Sequence, residues 1–153
     1  MSGEQEPSEV AGFARGPGDG ALLSIPTGPH MEVKASANET EGRFGLIESH
    51  QVGDVPLHVH ENDDEAFYIL EGEYEISCGE QTFQAGPGTF VYLPHGVPHA
   101  QKLKSETAKK LILIAPGGFE NWFFERSEAM KEGRYNDALA EELNARYGIR
   151  WLD

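Results

Sequence analysis

The sequence predicts an all-β domain, built as an antiparallel sandwich or barrel, followed by a short α-helical segment. Between residues 21 and 115, short stretches rich in β-branched and aromatic residues alternate with turn-forming residues. The turn signals recur at the spacing typical of antiparallel sandwiches and barrels. After Pro116-Gly117-Gly118 the apolar residues change to helical spacing. We therefore expect a flexible N-terminal segment over residues 1–20, a β-domain over 21–116 and a helical extension over 117–153 that packs on it.

Length and charge narrow the class of protein. The 153 residues suit one domain with its own core. The net charge of -14 repels phosphate backbones and anionic lipid, so we expect no nucleic-acid or membrane partner. The single cysteine, Cys78, excludes an internal disulfide. The N-terminus shows no signal-peptide pattern and no apolar run is long enough to span a membrane, so we expect a cytoplasmic protein.

The individual elements follow from the same patterns. Ten stretches are predicted as strands: ALLSI, HMEVKA, RFGLIES, LHVH, EAFYIL, EYEISC, QTFQA, TFVYLP, HAQKL and KKLILIA. Two helices are predicted in the extension, with Asn136 capping the second and Gly148 ending it. The aromatic residues of the first helix are expected to cover one face or end of the barrel, and a substrate lid is the alternative.

Two histidines stand one residue apart in the stretch LHVH. In an extended strand, His58 and His60 point to the same face, roughly 6.5–7 Å apart along the chain. Two imidazoles at this spacing can converge on one ion. A lone histidine in a strand is more often a packing or surface residue, but the pair indicates a metal site.

The acidic turn after this strand leads to a third candidate ligand. Glu65 opens the returning strand and shares a face with Phe67 and Ile69. A carboxylate at this point, beside His60, can supply an oxygen ligand. The acids of the turn itself compete for that role, and we expect them to be solvated: Glu61, Asp63 and Asp64.

His99 is the fourth candidate ligand. Pro94 ends the preceding strand, Gly96 permits a positive φ in the turn, and Pro98 keeps its neighbour extended. His99 therefore begins its strand from a stiff corner that can preorganise a ligand. The remaining histidines are expected to be exposed or satisfied by other contacts: His30, His50 and His95.

Two segments of the chain resemble the two conserved motifs of the cupin family. GDVPLHVHENDDEAFYILEG, residues 53–72, matches the first motif, and GTFVYLPHGVPHAQKL, residues 88–103, matches the second. In the first motif, the segment between Gly53 and His58 is one residue shorter than usual. In the second motif, Leu103 stands where asparagine is common. Neither departure affects a ligand position. The C-terminal part is similar to the tail of small single-domain cupins related to quercetin 2,3-dioxygenase.

The resemblance implies a jelly-roll β-barrel with a divalent transition metal inside it. The implied ligands are His58, His60, Glu65 and His99. Imidazole and carboxylate ligands do not identify the metal, which can be Fe, Ni, Mn, Co, Cu or Zn. A metal held only for stability, or an empty barrel, is the alternative, but four polar ligands are costly to bury without an ion.

The leading functional hypothesis is a metal-dependent dioxygenase that acts on an aromatic or enolisable small molecule with O2. As the resemblance implies, Glu65 would be both a ligand and the acceptor of the substrate proton. A non-oxidative isomerase, decarboxylase or lyase is the second hypothesis, and a ligand-binding cupin without turnover is the third.

Three further expectations concern the walls of the barrel and its assembly. The interior is expected to be apolar, with Phe44, Leu46, Phe67, Ile69, Phe90 and Tyr92 as candidates. The basic residues of the β-domain are expected to lie outside, which argues against a phosphorylated substrate: Lys34, Arg43, Lys102, Lys104, Lys109 and Lys110. The stretch KKLILIA would be a liability as an unpaired edge strand, so we expect a homodimer.

Overall fold

Two antiparallel β-sheets face each other, and two helices follow them in the chain. The computed structural model describes residues 10–24 and 29–152. The described elements are β1 (Ala21–Ser24), β2 (His30–Ala35), β3 (Gly45–His50), β4 (Val55–His60), β5 (Asp64–Glu71), β6 (Tyr74–Cys78), β7 (Gln81–Ala85), β8 (Phe90–Leu93), β9 (His99–Leu103), β10 (Lys109–Ala115), α1 (Glu120–Lys131), α2 (Asp137–Tyr147) and β11 (Ile149–Trp151).

The topology confirms the predicted jelly roll but not a closed barrel. One sheet has the order β1-β2-β3-β10-β5-β8, and the other has the order β11-β4-β9-β6-β7. From β4 to β6 the chain alternates between the two sheets, so consecutive strands face each other across the interior. The sheets remain two separate hydrogen-bonded layers within the described residues. The expectation that β10 lies at an edge is wrong, because it pairs with β3 on one side and β5 on the other.

Alternation along the strands builds the core between the sheets. Ile47, Ile69 and Ile114 are fully buried on the inner face of the six-stranded sheet, and Ile76 is fully buried on the other sheet. Of the candidate interior residues, Phe67 and Ile69 are buried and Leu46 is half-buried. Phe44, Phe90 and Tyr92 are exposed instead. The two aromatic residues of β8 alternate with buried Val91 and Leu93, so their parity places them outside.

The predicted helices form where the sequence places them. The Asn136 side chain accepts a hydrogen bond of 2.8 Å from the Leu139 N–H, which caps α2. Gly148 ends this helix with a φ of 70°, in the left-handed region that glycine adopts readily. Directly after it, β11 turns back and pairs with β4. This short strand, the third element of the C-terminal region, was not predicted, because three residues are too few to show a period.

A buried carboxylate fixes the start of α1. Glu120 accepts hydrogen bonds from the Gly118 N–H at 2.8 Å and from the Ala37 N–H at 2.6 Å. A Cβ atom on Gly45 would lie 2.5 Å from a Glu120 carboxylate oxygen, so a larger residue there would displace this carboxylate. These contacts hold the first turn of α1, with its aromatic residues, against the sheet that carries β3.

Residues 1–9 of the predicted N-terminal segment lie outside the described residues. From residue 10 to 20 the chain runs over the outer face of β2, where the Gly20 N–H donates to the Glu32 carboxylate at 2.8 Å and Arg15 pairs with Glu39. Of the helices described, none is long and apolar enough to cross a membrane.

Candidate metal centre

Four buried side chains converge between the two sheets. One ligand atom from each of His58, His60, Glu65 and His99 lies within 4.8 Å of all the others. Each of these residues is between 3% and 7% exposed. The sequence singled out these four positions, and the structure brings all four together.

The strands place these side chains by alternation and pairing. His58 and His60 share the inner face of β4, and His58 lies directly opposite His99 of β9. Glu65 comes from the facing sheet, near the start of β5, after the short turn that follows β4. Three imidazoles from one sheet therefore meet a carboxylate from the other.

The ligand atoms of the cluster lie close together, but several of them have no hydrogen-bond partner. Glu65 Oε2 lies 3.0 Å from His99 Nε2 and 3.3 Å from His60 Nε2. Both ring nitrogens of His99 and the Nδ1 atom of His60 are buried without a hydrogen-bond partner among the described residues. Buried polar atoms are nearly always satisfied, so this set fits donors aimed at a common cation.

A backbone carbonyl fixes the tautomer of His58. Its Nδ1 atom lies 2.8 Å from the Pro56 carbonyl oxygen, which can only accept a hydrogen bond. The proton therefore sits on Nδ1, and the Nε2 lone pair is free for a ligand. This is the arrangement in which an imidazole commonly binds a metal.

The electrostatics keep His58 neutral and Glu65 ionised, the states in which each can bind a cation. Burial, reinforced by the neighbouring His99, lowers the pKa of His58 to about 4, so its ring is neutral. Burial alone would raise the pKa of Glu65, but the adjacent His60 and His99 outweigh it and lower this pKa well below its usual value. The pKa of His60 is raised, because Glu65 outweighs the opposing effect of burial. Glu65 is therefore ionised at neutral pH.

The cluster opens into a cavity of about 290 Å³ with largely apolar walls. The ring of Trp151 lies 4.9 Å from that of His58, and the ring of Phe119 lies 4.5 Å from that of His60. Side chains of β11 and of the residue that precedes α1 thus form part of the wall beside the ligands. The volume lies just below the range of about 300–1,000 Å³ usual for small-molecule sites.

One polar residue of this cavity was placed wrongly from the sequence. Lys110 was expected outside, but it is 2% exposed and lines the cavity. It shares the inner face of β10 with buried Ile112 and Ile114, whereas Leu113 is exposed. The alternation of KKLILIA would have revealed this if β10 had been recognised as a central strand.

The remaining histidines and acids stay apart from the cluster. His95 is exposed and bonds to Asp64 through Nδ1 at 2.7 Å, whereas His30 and His50 stack on each other elsewhere. Asp63 was expected to be solvated but is buried, and burial raises its pKa to about 6. It does not line the cavity.

A second group of potential ligands comprises Glu32, Glu48 and His50, which lie on the other face of β2 and β3. Lys34 Nζ lies 2.6 Å from Glu32, and Lys109 Nζ lies 3.7 Å from Glu48. These lysines already balance the two carboxylates, so the group does not need a cation.

Comparison with known proteins agrees with this fold and site. Residues 46–115 match the family model of the Cupin domain. The protein is a cupin. It is 34% identical over 108 residues to quercetin 2,3-dioxygenase of Bacillus subtilis (strain 168), a match that covers 69% of this chain and 32% of that enzyme. The cupin therefore spans about a third of the length of that relative.

Solved structures of lower identity share the fold. An RmlC-like cupin from Shewanella frigidimarina NCIMB 400 aligns with a TM-score of 0.61 at 12% identity, covering 72% of this chain and 96% of that one. A mutant of Bacillus subtilis oxalate decarboxylase aligns with a TM-score of 0.56 at 19% identity, covering 74% of this chain and 33% of that one. Both are similar to this cupin in fold alone.

Proposed function

We propose that this cupin is a metal-dependent dioxygenase that acts on an aromatic or enolisable small molecule. The observation that carries the proposal is the convergence of four ligand atoms within 4.8 Å at the wall of a largely apolar cavity. Such a cavity suits a hydrophobic substrate that presents one polar group to the metal. The identity of 34% with a quercetin 2,3-dioxygenase supports this reaction class.

His58, His60, Glu65 and His99 would hold the metal. Three imidazoles and a carboxylate are compatible with Fe, Ni, Mn, Co, Cu or Zn. When bound, such a metal supplies Lewis-acid or redox chemistry at this end of the cavity. The aromatic side chains beside the ligands, Phe119 and Trp151, keep bulk water away from the reacting atoms.

Glu65 is the candidate catalytic residue. Its carboxylate is ionised and faces the cavity, so it can accept a proton from the hydroxyl or enol group of a bound substrate. Among the described residues that line the cavity, it is the one acid. The same carboxylate would therefore serve as a ligand and as a general base.

Metal analysis together with oxygen uptake tests the proposal. The protein is purified without a histidine tag, its metal content is measured, and O2 consumption is followed with a panel of flavonols, catechols and enols. We expect about one equivalent of transition metal and metal-dependent O2 uptake with at least one aromatic or enolic compound. A metal-loaded protein that consumes no O2 with the whole panel would contradict the dioxygenase.

A non-oxidative metal-dependent isomerase, decarboxylase or lyase is the second candidate function. The position of Lys110 favours this non-oxidative function, because a buried amine in the cavity can donate and accept protons in a reaction that does not use O2. Turnover of a substrate at the same rate without oxygen would establish this alternative. Saturable ligand binding with no turnover in either atmosphere would instead establish a ligand-binding cupin.

The proposed assembly is a homodimer. Four apolar or aromatic side chains are exposed on the outer face of β5, β8 and β10: Tyr68, Phe90, Tyr92 and Leu113. Tyr68 and Phe90 are direct cross-strand partners, so these side chains form a continuous surface rather than scattered single residues. Surfaces of this kind in soluble proteins often mark contacts between chains.

A further inference from the structure

The ammonium group of Lys110 lies inside the cavity without a carboxylate partner. Among the described residues, no carboxylate oxygen lies within 4.0 Å of Nζ, and Gln101 Oε1 is its hydrogen-bond acceptor. The Phe67 ring centroid lies 3.6 Å from Nζ, and that of Tyr74 lies 5.1 Å away. The ammonium group therefore has one hydrogen-bond acceptor, the Gln101 amide, and two aromatic ring faces as partners. Some of its N–H donors remain without a hydrogen-bond acceptor. A buried cation in this position is costly unless an anion reaches it.

Gln101 holds this lysine in place rather than contacting a ligand. Its Nε2 atom donates a hydrogen bond of 2.8 Å to the Gly53 carbonyl, which orients the amide. Its Oε1 atom is thereby turned toward Lys110. Gln101 is thus a positioning residue, and it fixes Nζ at the cavity wall.

An unpartnered hydroxyl stands beside Lys110 on the same wall. Ser49 of β3 is the direct cross-strand partner of Lys110 in β10, so their side chains are neighbours on the inner face. Ser49 is 1% exposed, lines the cavity and has an Oγ atom with no hydrogen-bond partner among the described residues. Buried hydroxyls rarely remain unpaired. This observation is independent of the lysine and also indicates a missing acceptor.

The charge of the cavity has the opposite sign to that of the whole protein. The chain carries a net charge of -14. Apart from the histidines, the described cavity residues with ionisable side chains are one acid, Glu65, and two bases, Lys110 and Arg126. A divalent metal on the histidine cluster would make the cavity more positive still. Such a cavity selects for a negatively charged ligand.

We propose that Lys110 and Ser49 form a subsite for a carboxylate group of the substrate, on the same cavity as the metal cluster. The ammonium group supplies a charge-assisted hydrogen bond to one carboxylate oxygen, and the Ser49 hydroxyl donates to the same group. The substrate class is then an aromatic or enolic acid rather than a neutral phenol. This inference rests on the proposed function only in taking the cavity as the substrate site.

Binding of simple probes tests the subsite without requiring turnover. Both tryptophans of the chain, Trp122 and Trp151, line the cavity, so their fluorescence reports on occupancy. The dissociation constants of benzoate, phenylacetate and 3-phenylpropanoate are measured at pH 6 on the metal-loaded and the metal-free protein. Each acid is compared with its primary amide, which has nearly the same shape but no charge.

Two lysine variants separate the subsite from general electrostatics. We expect at least one acid to bind about tenfold more tightly than its amide, with and without the metal. Lys110→Met should abolish this preference, whereas Lys109→Met should retain it, because Lys109 pairs with Glu48 on the opposite face. An unchanged preference in Lys110→Met, or no preference in the unmodified protein, would overturn the proposal.

A measurement on the unmodified protein covers the case in which Lys110→Met does not fold. The pKa of Lys110 is followed through the ¹³Cε chemical shift of labelled lysine. It should rise on binding of an acid that shows the preference and stay constant with the matching amide. A pKa unaffected by the acid would contradict the subsite. A protein that binds acids through Lys110 but performs no turnover would contradict the dioxygenase alone.

Discussion

Trp151 and His58 are direct cross-strand partners in β11 and β4, and their ring centroids lie 4.9 Å apart. The last described strand of the chain thus covers a ligand from the first conserved motif. Arg150, which precedes Trp151 in the chain, faces away and pairs with Glu61 at 2.9 Å. The C-terminal strand therefore places Ile149 and Trp151 at the cavity and Arg150 in solvent.

Replacing Trp151 should expose the metal cluster. Trp151→Ala removes a ring that is 42% exposed but packs on His58. We expect this change to lower the free energy of unfolding by about 1–2 kcal/mol and metal affinity by up to about tenfold. Competition with a chelator measures the affinity. Arg150→Ala is the matched control and should leave it unchanged, so an equal loss in both variants would assign the effect to the strand and not to the ring.

Glu65→Gln should separate metal binding from proton transfer. The amide keeps the shape and one oxygen ligand but cannot act as a base near neutral pH. We expect weaker metal binding and, after reconstitution with metal, turnover reduced by about 10²–10⁴-fold. Asp64→Asn, which alters the neighbouring acid that bonds to exposed His95, should keep normal turnover. Full turnover in metal-loaded Glu65→Gln would remove the proton role.

Lys110 should make the stability of the metal-free protein rise with pH. Burial lowers its pKa in the folded protein from 10.5 to about 7, although the carboxylate of Glu65 opposes the shift. Between these values the unfolded chain binds a proton that the folded protein does not, so raising the pH favours folding. The gain should be on the order of several kcal/mol between pH 7 and 10.

Urea unfolding at several pH values in the presence of a chelator measures this gain. The difference between the unmodified protein and Lys110→Met isolates the contribution of Lys110 from that of other titrating groups. Lys109→Met should follow the unmodified protein across the whole range. Parallel stability curves for the unmodified protein and Lys110→Met would show that the lysine keeps its ordinary pKa.

The outer face of the six-stranded sheet should hold the two chains of a dimer together. We expect light scattering during gel filtration to give twice the mass of one chain. A Phe90→Lys, Tyr92→Lys double variant should give the mass of one chain, because it places charges on the exposed aromatic surface. Gln84→Lys, on the other sheet, is the control. A single-chain mass for the unmodified protein would contradict the dimer.

The sequence predicted most of the strands because period-two alternation and turn residues are local signals. The same alternation placed His58 and His60 on one face, and turn chemistry placed His99 at the start of its strand. The position of Lys110 required the strand order, which is set by pairing between residues far apart in the chain. The short strand β11 and the burial of Asp63 also depend on such contacts.

The stoichiometry of bound metal tests the central claim most directly. His99→Ala removes one of the converging ligands, whereas His95→Ala removes an exposed ring from the adjacent turn. After dialysis, elemental analysis should find about one equivalent of transition metal in the unmodified protein and in His95→Ala, and much less in His99→Ala. Folded protein with no bound metal, or equal metal in all three proteins, would contradict a metal centre formed by His58, His60, Glu65 and His99.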